Sequence, residues 1–203
     1  TQGKSANLKF VAYVETKNHQ KFEVIAPLSN PFVVMTHEKQ WSESVKILLL
    51  QECLSNYTRS SLSWFEFVNL LQYAFIKSVT RENRFFRPLS QLELRYFHEE
   101  FFSGKDQVHS EDIMKLWESL GPSLHKLKFS KEKKGTPDLW DRGIINFISR
   151  QDAEKLLAET PDGTCLLRFS TQRKGELVIS FQSEGQVKNY LIQPSDIPTT
   201  LPN

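Results

Sequence analysis

The hydrophobic period of the chain changes twice. Between residues 8 and 36 it is close to two. Leu8, Phe10 and Ala12 alternate with Lys9, Val11 and Tyr13, and the runs Phe22-Glu-Val-Ile and Phe32-Val-Val-Met follow, with Pro27 and Pro31 as punctuation. This alternation predicts three strands. So few strands with so few local partners read as the end of a larger β domain. A polar loop from Thr36 to Gln40 closes the region. From Trp41 the period becomes helical, with Val45, Leu48, Leu49 and Leu50 on a broad apolar face over 41–56. Ser63-Trp-Phe-Glu66 and Ser90-Gln-Leu-Glu93 are capping boxes, in which the serine hydroxyl and the glutamate carboxylate satisfy each other's backbone N–H groups. The first opens a helix carrying Trp64, Phe67, Val68, Leu71 and Phe75. The second opens one with Leu94 and Phe97 that stops at Gly104, its start pinned by Leu89 against Leu94. Ser110 is placed to cap a fourth helix through Ile113, Leu116, Trp117 and Leu120, which Gly121-Pro122 should stop.

A linker-like stretch, 130–137, precedes a second change of pattern. An apolar entry segment over 139–148 leads to Ser149, a candidate cap for a helix with Ala153, Leu156 and Leu157 on its core side. Three strands follow. The first holds Cys165, Leu166, Leu167 and Phe169 and reads as buried on both faces; the second alternates Leu177, Ile179 and Phe181; the third spans 187–192 after a turn at Glu184-Gly185. A helix followed by antiparallel strands is an α+β module. The predicted fold class is therefore multi-domain α+β. Its expected parts are 1–57, the end of a β domain with the following helix; 58–138, all-helical; and 139–203, an α+β unit. The chain starts within a strand pattern and ends without a closing element, so it is expected to be part of a longer protein.

Within the first strand of that unit sits Arg168. A guanidinium stays charged, and leaving it unpaired in a core costs several kcal/mol. It must meet an anion, either a carboxylate of this chain or a group brought by a partner. Ser170, Thr171, Gln172, Arg173 and Lys174 follow before Gly175, a loop of donors suited to a phosphate dianion. Arg150, in the first turn of the helix after Ser149, would bring a second cation if that helix packs across the strand.

Bulk properties narrow the classes. In 203 residues, a formal charge of +2 leaves any basic surface local. Lys126, Lys128, Lys131, Lys133 and Lys134 are one such run, readable as phosphate contacts or as a soluble loop. Cys53 and Cys165 both lie in apolar runs and read as reduced core residues of an intracellular protein. With no run of eighteen apolar residues, no membrane insertion is expected. The five histidines lack metal-ligand spacing, and no nucleotide-binding or nucleophile motif is present. An enzyme, a metal or a cofactor is not expected.

The stretches Trp140-x-x-Gly143-Ile-Ile-x-Phe-Ile-Ser149-Arg150, Leu156-Leu157 and Pro161-Asp-Gly-Thr-Cys-Leu-Leu-Arg-Phe-Ser170 resemble the first half of an SH2 domain, specifically that of a STAT transcription factor. Val187-Lys-Asn-Tyr-Leu-Ile-Gln-Pro194 is similar to the strand and exit that follow there. Upstream, Asn30-Pro-Phe-Val-Val-Met-Thr-His-Glu-Lys-Gln40 resembles the last strand and DNA-facing loop of the STAT β-barrel, and the helices take the place of the linker domain. The resemblance implies a phosphotyrosine pocket made by Arg168, Arg150 and Ser170, with Thr171 standing where several relatives carry an acid; Thr171 and Gln172, from the reading of the loop itself, would close it. It implies that His37 reaches double-stranded DNA, with Lys39 near a phosphate. The implied partners are the phosphotyrosine tail of a second copy, giving a homodimer, and a tyrosine kinase or phosphorylated receptor; the implied locations are cytoplasm and nucleus. The loop before Trp41 and the turn at 183–185 are shorter than in many animal relatives, which points to a divergent, slime-mould-type member. Two other readings stand beside this one: a phosphotyrosine adaptor that never touches DNA, and an interaction domain in which Arg168 is only internally paired.

Overall fold

The computed structural model describes residues 5–54, 58–80, 87–129 and 136–192. Strands β1 (Val11–Glu15) and β2 (Lys21–Ile25) form an antiparallel hairpin in which Val11 faces Ile25. The third expected strand is reduced to one bridge, between Ala6 and Phe32. Proline carries no N–H to donate, and Pro27 and Pro31 bracket the segment, so a longer ladder is not sustained. Phe10, Tyr13, Phe22, Val24 and Ile25 are all exposed, so this hairpin has no core of its own.

Four helices follow: α1 (Trp41–Cys53), α2 (Trp64–Val79), α3 (Gln91–Phe102) and α4 (Ser110–Phe129). They form two helix–strand–helix pairs. Strand β3 (Ser61–Ser63) lies between α1 and α2, and β4 (Gln107–His109) lies between α3 and α4. The strands pair antiparallel with Leu62 opposite Val108, both buried. Both expected capping boxes are formed: Ser63 with Glu66 and Ser90 with Glu93.

Helix α4 departs from expectation at each end. It begins at Ser110 itself, and the Asp112 carboxylate accepts from the His109 N–H at 3.2 Å, so Ser110 is not the cap. It also runs through Gly121-Pro122 to Phe129. Proline inside a helix forfeits a backbone bond at a cost of about 3 kcal/mol. Leu124 and Leu127 are fully buried beyond it, and burying one leucine offsets roughly 1.5–3 kcal/mol. Tertiary packing therefore overrides the local stop signal. Along α4, Trp117 donates from Nε1 to the Ser42 carbonyl at 2.8 Å, and a Cβ on Gly121 would strike the Ser42 hydroxyl.

The remaining chain forms α5 (Thr136–Asp141), β5 (Ile145–Asn146), α6 (Arg150–Leu157), β6 (Cys165–Phe169), β7 (Leu177–Ser183) and β8 (Gln186–Leu191). The last residues of the expected 130–137 loop are thus helical, while 130–135 lie outside the described residues. The sheet order is β5-β6-β7-β8, parallel between β5 and β6 and antiparallel elsewhere. Strand β6 is buried only at its C-terminal end, and Cys165 is exposed, contrary to its reading as a core residue.

The helical unit does not close a core of its own. One cluster of buried residues runs from Trp41 to Leu177, with rings in contact from Phe75 to Trp140, Phe147 and Phe169. Arg87 fastens the same junction. Its guanidinium meets the fully buried Glu93 carboxylate at 2.7 and 3.1 Å, donates to the carbonyls of Trp140 and Ile145, and lies 3.8 Å from the Trp140 ring centroid. Glu93 also accepts from the Phe147 N–H at 3.2 Å.

Candidate anion-binding site

The site grows from a register. In β6, Leu167 pairs with Ile179 and Arg168 with Val178, which turns the Arg168 side chain to the α6 side of the sheet. Ser149 caps α6 by accepting from the Asp152 N–H at 3.0 Å, so Arg150 emerges in the first helical turn over that face. After Phe169 the chain turns, and the Ser170 hydroxyl accepts from the Arg173 N–H at 2.9 Å. Its own O–H is thereby left to donate. These pieces enclose a cleft of about 230 Å³. Arg150, Arg168, Ser170, Thr171 and Gln172 all line it, together with Arg173 and Asn189.

Arg168 is 3% exposed. Among the described residues no carboxylate pairs with it directly: its Nε donates to the Ser180 hydroxyl at 3.2 Å and its Nη2 to the Asn189 amide oxygen at 3.2 Å. These partners are neutral. Burial lowers the Arg168 pKa, and the positive charge of Arg150 lowers it further. A buried cation held by neutral groups beside a second cation is an electrostatic arrangement that an anion relieves. Arg150 is largely exposed and bonds Glu154 Oε1 at 2.7 Å through its Nε.

Sequence reasoning missed Ser180, Asn189 and Glu154 as members of this network, whereas Arg173, read as part of the donor loop, does line the cleft. The signal for Ser180 was its register in an apolar strand, where a fully buried hydroxyl needs a partner. The loop itself is braced by α4. Lys174 meets Glu118 at 2.9 Å, and Lys126 donates to the Gly175 carbonyl at 3.3 Å. Gly175 has φ +78°, and a Cβ there would lie 2.9 Å from Pro122. Only glycine fits both conditions.

His37 and Lys39 stand apart, in and before the 3-10 turn Glu38–Gln40. His37 is exposed and caps that turn, its Nδ1 accepting from the Lys39 N–H at 3.1 Å. Lys39 is exposed as well. From the basic run, Lys126 and Lys128 bond carbonyls of this chain, those of Gly175 and Thr80, while 131–134 lie outside the described residues.

With this geometry in place, the comparisons are specific. The family model described as the SH2 domain matches residues 144–199, and the one described as the EF-hand fold domain matches 37–130. The C-terminal module is thus of the SH2 class, preceded by paired helix–strand–helix units. Signal transducer and activator of transcription A of Dictyostelium discoideum is 32% identical over 197 residues, covering 95% of this chain and 27% of that protein. The corresponding protein B of the same organism is 31% identical, over 98% of this chain and 17% of its own length. Signal transducer and activator of transcription 1 of Caenorhabditis briggsae is 25% identical, over 97% and 30%. The chain belongs to the STAT family of signal transducers and transcription regulators. It spans between 17% and 30% of the length of these relatives.

The EF-hand likeness raises the question of calcium, which such a loop holds through oxygen ligands and a bidentate glutamate at its twelfth position, with glycine at the sixth. Taking Glu66 as that last position puts Ser60 at the sixth and Arg59 at the fifth. The Arg59 guanidinium lies 3.3 Å from both Glu66 oxygens, and Glu66 also accepts from the Ser63 N–H at 2.9 Å. In the other loop, counting back from Asp112 puts Lys105 at the fifth position and Phe101 at the first. Among the described residues no group of three or more acids, histidines or cysteines is placed for a metal ion. These residues do not fit calcium. An arginine occupies the neighbourhood the cation would take.

Proposed function

We propose that this chain is the central part of a non-enzymatic, signal-responsive transcription factor, which dimerises through reciprocal SH2–phosphotyrosine binding and then binds DNA. The observation that carries the reading is the Arg168 cleft: a buried guanidinium with neutral partners, a second arginine from α6, and a loop hydroxyl whose proton is free to be donated. Phosphorylation adds about −1.5 to −2 charges to one tyrosine and three acceptor oxygens. Arg168 supplies the fork that grips two of them, Arg150 the opposing charge, and Ser170, Thr171 and Gln172 the remaining donors. Unphosphorylated tyrosine offers nothing that replaces the lost hydration of these groups.

The phosphotyrosine comes from the tail of a second copy, after action of a tyrosine kinase or docking on a phosphorylated receptor. The protein moves from cytoplasm to nucleus in this scheme, and His37 and Lys39 face double-stranded DNA. The domain division 1–57, 58–138 and 139–203 belongs to the same reading. Its later boundary gains support from the two family matches, which fall on either side of 131–143, while the match over 37–130 runs across the boundary at 57/58 and favours grouping α1 with the other helices.

The test is sedimentation of the tyrosine-phosphorylated full-length protein, wild type against Arg168→Lys. Lysine keeps the charge and loses the planar fork. Losing one charge-assisted bond costs about 1.5–3 kcal/mol, and a reciprocal dimer loses one at each of its two pockets, so dimer affinity should fall roughly 150- to 25,000-fold. Equal dimerisation of the two proteins would overturn the reading.

A further inference from the structure

Glu154 lies one helical turn after Arg150 on α6. Its Oε1 accepts two bonds: from Arg150 Nε at 2.7 Å and from Asn189 Nδ2 at 2.8 Å. The Asn189 amide oxygen accepts in turn from Arg168 Nη2 at 3.2 Å and from the Ser180 hydroxyl at 2.7 Å. One carboxylate therefore touches one arginine of the cleft directly and the other through a single amide. Three arginines line the cleft, and Glu154 is the carboxylate bonded into their network. Its pKa is lowered, first by the hydrogen bond from Arg150, so it is ionised at neutral pH.

We propose that Glu154 is a resident counter-anion of the cleft, which an incoming phosphate must displace from Arg150, and which thereby sets the affinity of the site. The proposal rests on reading the cleft as a phosphotyrosine pocket. Its physical basis is an exchange. Before binding, the Arg150 Nε–H and the second amide proton of the network already have an acceptor, so an arriving phosphate gains only the difference between its own bonds and those to Glu154. Once bound, the phosphate dianion also sits near a carboxylate that no longer has Arg150 to neutralise it. Both effects oppose binding. The network has an ordering role too: Asn189 is held by Glu154 on one side and presents its oxygen to Arg168 on the other. Charge and geometry can be separated because glutamine at 154 retains an oxygen acceptor for Asn189 and Arg150 but carries no charge.

The experiment is a titration of the full-length protein with phenyl phosphate, the phosphotyrosine side chain without its peptide, read as the rise in thermal midpoint with ligand concentration. Wild type, Glu154→Gln and Glu159→Gln are compared. Glu159 is an exposed acid beyond the end of the same helix and serves as the control for net charge. Glu154→Gln is expected to bind phenyl phosphate about two- to fivefold more tightly than wild type, with Glu159→Gln unchanged. Equal or weaker binding by Glu154→Gln, or the same gain in both variants, would overturn the role of Glu154. Saturable binding by wild type that Arg168→Lys weakens keeps the pocket reading intact in either case. Wild type that does not bind phenyl phosphate at all refutes that reading, and the role of Glu154 falls with it.

Discussion

Replacing Arg87 by methionine tests the junction between the helices and the SH2 module. The change keeps an apolar stem as far as the position of Nε, while removing the guanidinium that lies over Trp140 and its charge. It leaves the fully buried Glu93 carboxylate with the N–H groups of Ser90 and Phe147 but without its cation. Two charge-assisted bonds are lost, at 2.7 and 3.1 Å, each worth about 1.5–3 kcal/mol. The carbonyls of Trp140 and Ile145 lose a donor, and the stacking on the indole contributes about 0.5–2 kcal/mol more. Methionine recovers part of this through burial. The net expectation is the range for breaking one side of a buried ion pair, about 3–5 kcal/mol. Denaturant unfolding of the intact protein, followed by tryptophan fluorescence, measures it, since Trp140 lies against the mutated side chain. The double variant Arg87→Met, Glu93→Gln should cost less than the sum of the single ones by about 1–3 kcal/mol, because the stranded charge is gone. A cost below about 1 kcal/mol for Arg87→Met, or simple additivity, would refute the reasoning.

Two further outcomes are expected. Glu66 is held down to about 2 by the Ser63 N–H and then by Arg59, from an ordinary value of 4.5. A depressed carboxylate pKa contributes stability that is complete above the unfolded value and is lost as pH falls through the folded one. Glu66→Gln should therefore flatten the dependence of stability on pH between about 4.5 and 2, with little change in slope above 5; an unchanged acid limb would refute this account of the cap. In DNA binding by the phosphorylated full-length dimer, His37→Ala should weaken specific binding by about 1–3 kcal/mol per site while leaving the salt dependence of non-specific binding in place. Equal loss on all sequences would remove His37 from base recognition.

What the sequence made legible was local. Both capping boxes, the Ser149 cap and the strand around Arg168 depend on neighbours within four residues, and each formed where the pattern put it, although that strand is buried only at its C-terminal end. The five residues assigned to the anion site line one cleft, because a strand residue, a helix start and the loop after the strand meet whenever the helix packs on that face. What failed was long-range. Gly121-Pro122 is a stop signal in isolation, yet buried Leu124 and Leu127 carry the helix past it. Cys165 lies in an apolar run at the exposed end of its strand. Arg87 looked like any arginine before a proline; only the fold brings Glu93 and Trp140 to it. The EF-hand likeness was hidden because its loops keep the helix–strand–helix outline without the acidic positions that advertise it.

Helix α4 has a consequence that its own length does not suggest. Glu118, Pro122 and Lys126 face the loop after β6, while Trp117, Gly121 and His125 face Ser42, Trp41 and Glu38 beside the 3-10 turn. Each set repeats every four residues, and the second is the first moved back by one. The two stripes therefore run side by side along the helix, separated by the roughly 100° that one residue turns. The helix works as a two-sided ruler. One edge is read by the loop that lines the arginine cleft, the other by the turn that carries His37 and Lys39, and the offset between the edges is a single amino acid.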